Sequence, residues 1–178
     1  MKENLSGTLA IDLGNTNTVV AFQGQKDTHS VLIEIPNITS SPGVIPTALW
    51  FEEPSKILKI GISALEMRYS SKSDLFFHSN FKRLIGNPIE KINQQNILKP
   101  AESGEKFFKF LWANIPKKYE IKRLVLTAPI DTYKGYREWL INLSSELFVD
   151  EVALVDEPTA ASLGINVPFG SKIMTLDI

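Results

Sequence analysis

Cysteine is absent from the 178 residues, which excludes disulfides, thiol nucleophiles and thiolate metal sites. Histidine is scarce, at two residues. His29 lies in a polar stretch and His78 has no partner pattern, so both read as surface or structural. Neither sign of charge is in excess: nineteen Lys and Arg stand against twenty Asp and Glu, a formal net charge of −1. A nucleic-acid groove would call for a basic excess. No apolar run approaches membrane-spanning length. No apolar targeting segment precedes the first strand in MKENLSGTLAIDLG. The expectation is a cytoplasmic protein with no membrane and no nucleic-acid partner. There is no internal repeat and no low-complexity tract. What remains is 43% hydrophobic residues, enough for the core of one domain or of one lobe of a larger one.

Residues 9–13 form a short apolar run ending at Gly14, a buried strand leading into a tight turn. Residues 18–22 are β-branched and apolar and read as the returning strand. The turn is too short for a crossover helix, so the pair is an antiparallel hairpin. Residues 31–35 continue the sheet, and 36–43 are loop-forming. Residues 47–51 and 56–60 read as a second hairpin, 61–70 as a short helix, and 71–100 as polar and irregular. Ser103 is expected to cap a buried helix over 105–115. Trp112, Trp139 and the Phe residues near position 108 read as core. A strand at 123–127, a helix at 132–148, a strand at 152–155, a helix from Pro158 to a stop at Gly164, and a strand at 172–177 follow. Such alternation implies parallel pairing. A sheet that begins as a hairpin and turns parallel is a mixed α/β fold.

This reading puts Asp12, Glu157 and Asp177 near the carboxyl ends of three strands, where open α/β sheets bind ligands. Such carboxylates suit a hydrated magnesium ion, which keeps most of its waters; they also suit unconnected caps and loop acids. The turn Gly14-Asn15-Thr16-Asn17 offers backbone N–H groups and polar side chains that can wrap anionic oxygens. It is not a Walker A loop, and the same residues make a good plain turn. Lys82, flanked by Phe81, Leu84 and Ile85, suits a charge projecting onto a phosphoryl group, or an ordinary surface lysine.

Three strings carry a family resemblance: IDLGNTNT, FKRLIG and DEPTAAS, with VIPTALWF between the first two. They resemble the first phosphate loop, the lysine segment and the connecting motif of the heat shock protein 70 (DnaK) family, and VIPTALWF its P-S-x-V strand. The resemblance covers essentially the whole chain. It implies lobe I of a nucleotide-binding domain with the ribonuclease H-like, actin-like ATPase fold: a mixed sheet flanked by helices, with a smaller inserted α+β subdomain. The core subdomain would span about 1–40 and 117–178, the insert about 41–116.

The resemblance also implies roles. Gly14, Asn15, Thr16 and Asn17 would contact the phosphates of ATP or ADP. Lys82 would position the attacking water, with Glu157 and Asp177 close by as catalytic carboxylates. Asp12 and Asp177 would hold the waters of Mg2+. Pro129 and Arg137, as in the family's V-P-A…Q-R segment, would couple the site to a peptide-binding domain. The full-length protein would be a chaperone-like ATPase acting on unfolded peptides with a J-domain co-chaperone and a nucleotide exchange factor. The chain departs from the family at Asn15, usually Thr; at residues 130–133; and at Tyr136, which replaces a Gln. The Gly-rich second phosphate loop and the adenosine lobe are not in the sequence, so this piece alone is expected to be inactive. A small-molecule kinase of the same superfold and a non-hydrolysing nucleotide-binding module are the alternatives.

Overall fold

The computed structural model describes residues 5–71, 73–86, 98–130, 134–165, 170–172 and 174. Strands β1 Leu5–Leu13 and β2 Asn17–Gly24 make the expected antiparallel hairpin. Alternation along the strands sets its faces. Leu9, Ile11, Leu13, Val20 and Phe22 are buried, whereas Thr8, Ala10, Val19 and Ala21 are half-buried and Asp12 is exposed. The turn demands glycine at its head: a Cβ on Gly14 would lie 2.2 Å from the Asn17 carbonyl oxygen.

Short strands β3 Val31–Leu32 and β4 Val44–Pro46 both pair with β2. β3 is shorter than the 31–35 expected, because Ile33 and Ile35 leave the strand to bury in the core. On the other side of the hairpin, β8 Tyr119–Ala128 runs parallel to β1, and β9 Glu151–Asp156 runs parallel to β8. The main sheet is therefore ordered β3-β2-β1-β8-β9, with β4 also on β2. The β8-to-β9 connection passes through α3 Lys134–Ser145, as parallel neighbours require.

A second sheet is built from β5 Ala48–Glu52, β6 Ile57–Ile60 and β7 Phe77–Ser79, in the order β6-β5-β7. β7 lies in the segment that reads as irregular; three residues are too few to show a period, and pairing with β5 is what defines the strand. Helix α1 Ile62–Ser70 covers one face, where Ala64 meets Ala48 and Trp50. Leu49, Phe51 and Ile60 point the other way and join Phe107, Phe108 and Leu111 of α2 Pro100–Ala113 in the core of the main sheet.

The start of α2 corrects the sequence reading. Pro100 occupies the first turn and the Glu102 carboxylate accepts the Lys99 backbone N–H at 3.0 Å, so the helix begins before Ser103. Ser103 is a buried interior residue and not a cap. Helix α3 ends at Ser145, which leaves Phe148 fully exposed beyond it. Helix α4 Glu157–Gly164 follows β9 directly, with Pro158 in its first turn as expected. Residues 132–133 and most of the strand expected at 172–177, including Asp177, lie outside the described residues. Among the described residues no helix is long and apolar enough to cross a membrane.

Candidate functional site

Because β1, β8 and β9 are parallel neighbours, their carboxyl ends share one edge of the sheet. Asp12 is the penultimate residue of β1, Thr127 stands beside it on β8, and Glu157 opens α4 at the tip of β9. The Thr127 hydroxyl donates to Asp12 Oδ1 at 2.5 Å. The first residue after the β1 strand end is Gly14, so the turn of the hairpin lies at the same edge.

Lys82 reaches this edge from far along the chain. It opens a single 3-10 turn, Lys82–Leu84, between Phe81 and Ile85, both buried in the core. Those two anchors leave the lysine facing inward, and its Nζ donates to Glu157 Oε1 at 2.6 Å. The side chains are 11% and 24% exposed, so this is a mostly buried ion pair and no chance surface contact. Behind the turn, Gly86 adopts φ 75° and packs against the backbone of Gly135 so closely that a Cβ on either would lie 2.6 Å from the other's backbone. The lysine segment is thus seated on the first turn of α3.

Next to Gly135 stands Tyr136, 1% exposed, with its ring centroid 5.5 Å from Lys82 Nζ. Burial, and then the charges of Glu157 and Asp12, push its hydroxyl far above the ordinary phenol range. The Lys82 ammonium thus lies between the Tyr136 ring and the Glu157 carboxylate.

The phosphate-loop candidates are placed by two further contacts. Asn15 Nδ2 donates to Asn80 Oδ1 at 2.8 Å, which ties the turn to the residue just before the Phe81 anchor. The Thr16 carbonyl accepts the Thr47 N–H at 2.8 Å, and the Thr47 and Thr18 hydroxyls share a buried hydrogen bond of 2.9 Å. Gly14 and Asn15 are half-buried, while Thr16 and Asn17 are exposed at the rim. Pro129 and Arg137 also meet: the Arg137 Nε donates to the Pro129 carbonyl at 3.4 Å, and its guanidinium pairs with Asp156, one residue before Glu157.

Sequence reasoning missed Asn80, Thr127, Asp156 and the placement of Tyr136 under Lys82. The only signal was that Tyr136 and Asp156 adjoin residues already singled out. His29 is exposed and lines the same open groove as Asp12 and Thr127, and His78 is buried in the small sheet. Among the described residues, no three His, Asp or Glu side chains gather closely enough to ligate a metal directly. Asp12, exposed and hydrogen-bonded through one oxygen, has the chemistry of a group that orients metal-bound water.

No protein-family model matches the chain. It is 28% identical over 170 residues to the chaperone protein DnaK of Mesomycoplasma hyopneumoniae (strain J), covering 93% of this chain and 26% of that protein. It is 30% identical over 162 residues to the chaperone protein DnaK of Metamycoplasma hominis, covering 89% of this chain and 26% of that one. The chain thus spans about a quarter of the length of the curated relatives it matches. Among solved structures, MreB5 of Spiroplasma citri bound to ADP aligns with 92% of this chain and 42% of its own, with a TM-score of 0.58 and 16% identity. That likeness bears on the fold alone. The sheet order and the two alignments agree: the chain has the fold of an actin-like ATPase lobe and is similar in sequence to the DnaK chaperones.

Proposed function

We propose that this lobe grips the phosphates of ATP or ADP in a chaperone-like ATPase that couples hydrolysis to the binding of unfolded peptides. One observation carries the reading: the ion pair of Lys82 and Glu157, largely shielded from solvent at the strand tips. Burying two charges is costly unless their position is used. Phosphoryl transfer to water asks for this kind of equipment, positioned charge and positioned water, and no covalent nucleophile. The turn residues Gly14, Asn15, Thr16 and Asn17 offer backbone and side-chain donors to the phosphates. The Lys82 ammonium has three donors, so it can hold Glu157 and still reach a phosphate oxygen or the attacking water. Asp12, with Asp177, is suited to hold the waters of Mg2+, which when bound neutralises developing charge on the phosphates. Arg137, joined to Pro129 and to Asp156, connects this edge to the start of α3 and would couple the site to a peptide-binding domain.

In this reading the full-length protein is cytoplasmic and works with a J-domain co-chaperone and a nucleotide exchange factor. The 178 residues alone hold one side of the cleft, so they are expected to show no ATPase activity and no micromolar ATP binding by calorimetry. In the full-length protein, Lys82→Ala should reduce hydrolysis about a hundredfold while weakening nucleotide binding far less. An equal loss in both would make Lys82 a general binding charge and sink its catalytic role. A second reading, nucleotide binding without turnover, has one observation in its favour: the Asn15 amide donates to Asn80 and not toward the cleft. Full-length protein that binds ATP and never hydrolyses it, with or without unfolded peptide, would decide for that reading.

A further inference from the structure

Tyr136 is the least explained group at this edge. Its side chain is 1% exposed, yet its hydroxyl has no hydrogen-bond partner among the described residues. A buried donor left unpaired is costly. Its ring is fixed on every side that matters: 5.5 Å from the Trp139 ring centroid, 5.5 Å from Lys82 Nζ, and one residue from the Gly135–Gly86 backbone contact. No role carries over from the DnaK resemblance, which has Gln at this position.

We propose that Tyr136 is a positioning residue of the phosphate site, its ring face steadying the Lys82 ammonium and its hydroxyl donating to an oxygen held between Lys82, Asp12 and Glu157. The acceptor is either the attacking water or a phosphate oxygen; the chemistry of recognition is the same. The hydroxyl acts as donor and not as base, since burial and two neighbouring carboxylates keep it protonated. This inference rests on the nucleotide reading above.

The test is Tyr136→Phe in the full-length protein, which keeps the ring and removes only the hydroxyl. Turnover should fall about tenfold or more, while the melting temperature without nucleotide holds or rises, because an unpaired buried donor has gone. A loss confined to kcat names water as the acceptor; a matching loss in ATP affinity, with AMP affinity kept, names a phosphate oxygen. Turnover within twofold of the parent overturns the proposal. So does a fall in turnover accompanied by a fall in melting temperature, which assigns Tyr136 to the core. Lys82→Ala, run in parallel, separates the two levels. If that variant hydrolyses ATP normally, the catalytic role of Lys82 fails, and if the parent does not hydrolyse ATP at all, the ATPase reading fails; either takes this inference with it. If Lys82→Ala is impaired and Tyr136→Phe is not, only the present inference fails.

Discussion

Neighbouring residues of β8 meet opposite surroundings. Leu124 and Leu126 are sealed in the core, whereas Val125 and Thr127 are half-buried and line an open groove of about 730 Å3 with Ala10, Asp12 and Val19 of the hairpin. One strand thus writes both the stability and the chemistry of the lobe, on alternate residues. The packed face is made of aliphatic volume alone on this strand. The open face carries small side chains until it reaches the carboxyl edge, where the Thr127 hydroxyl donates a hydrogen bond to Asp12. The difference teaches where substitutions should be felt: as lost stability on one face and as lost function at the tip of the other.

The largest expected effect sharpens that contrast within two adjacent residues. Leu126→Ala should destabilise the chain by about 2–5 kcal/mol, the cost of a cavity in a close-packed interior. Val125→Ala, on the half-buried face, should cost under about 1 kcal/mol, because less area returns to water and the groove leaves room to relax. Urea unfolding of both variants measures the difference. Equal losses would mean that the open face is packed in solution and that the contrast between faces is wrong.

The small sheet breaks the rule that core positions are apolar, and so offers a second probe. His78 on β7 is 3% exposed, its Nε2 has no partner among the described residues, and burial lowers its pKa to about 4. The unfolded chain holds its proton below about pH 6.5 and the folded one only below about pH 4. Between those values only the unfolded state gains a proton, so stability falls as pH falls. The loss should reach about 2 kcal/mol at pH 5 relative to pH 7. His78→Leu should remove this part of the pH dependence, read from unfolding curves at the two pH values. The same slope in parent and variant would show that His78 is wetter than the packing implies.

These cases show why some of the molecule was legible in the sequence and some was not. Leu9, Ile11 and Leu13 announce a strand by period, and Gly14 announces the turn, because those signals are local. The parallel pairing of β8 and β9 followed from strand–helix–strand alternation; that β1 runs parallel beside β8 did not, and that pairing is what brings Asp12 to the edge of Glu157. Lys82 was singled out by its apolar flanks and the DnaK resemblance, and in the structure its Nζ lies 2.6 Å from Glu157 Oε1. Asn80 under Asn15, Thr127 beside Asp12 and Tyr136 under Lys82 were not legible. Their partners lie 65 and 115 residues away for the first two, and no periodicity spans such distances. The start of α2 was misjudged for a different reason: Ser103 has the chemistry of a cap, and Pro100 with Glu102 outcompeted it.

The smallest effect separates two ion pairs of the same chemistry. Lys82–Glu157 joins side chains 11% and 24% exposed, whereas Lys109–Glu105 on α2 joins side chains 44% and 46% exposed. Glu157→Gln leaves the Lys82 ammonium mostly buried without its counter-charge. A fully buried pair broken this way costs about 3–5 kcal/mol; partial exposure reduces the expected loss to about 1–2 kcal/mol. Glu105→Gln should cost under about 0.5 kcal/mol, since water screens that pair and Glu146 also contacts Lys109. Salt makes the distinction sharper. Raising ionic strength should erase the Glu105 effect and leave most of the Glu157 effect, because only the exposed pair is open to counterions. Unfolding curves for both variants at low and high salt would show it. If the Glu157 effect vanishes with salt as well, the strand tips are open to solvent, and Lys82 sits at the edge as a mobile surface charge, unfit to hold a water in place.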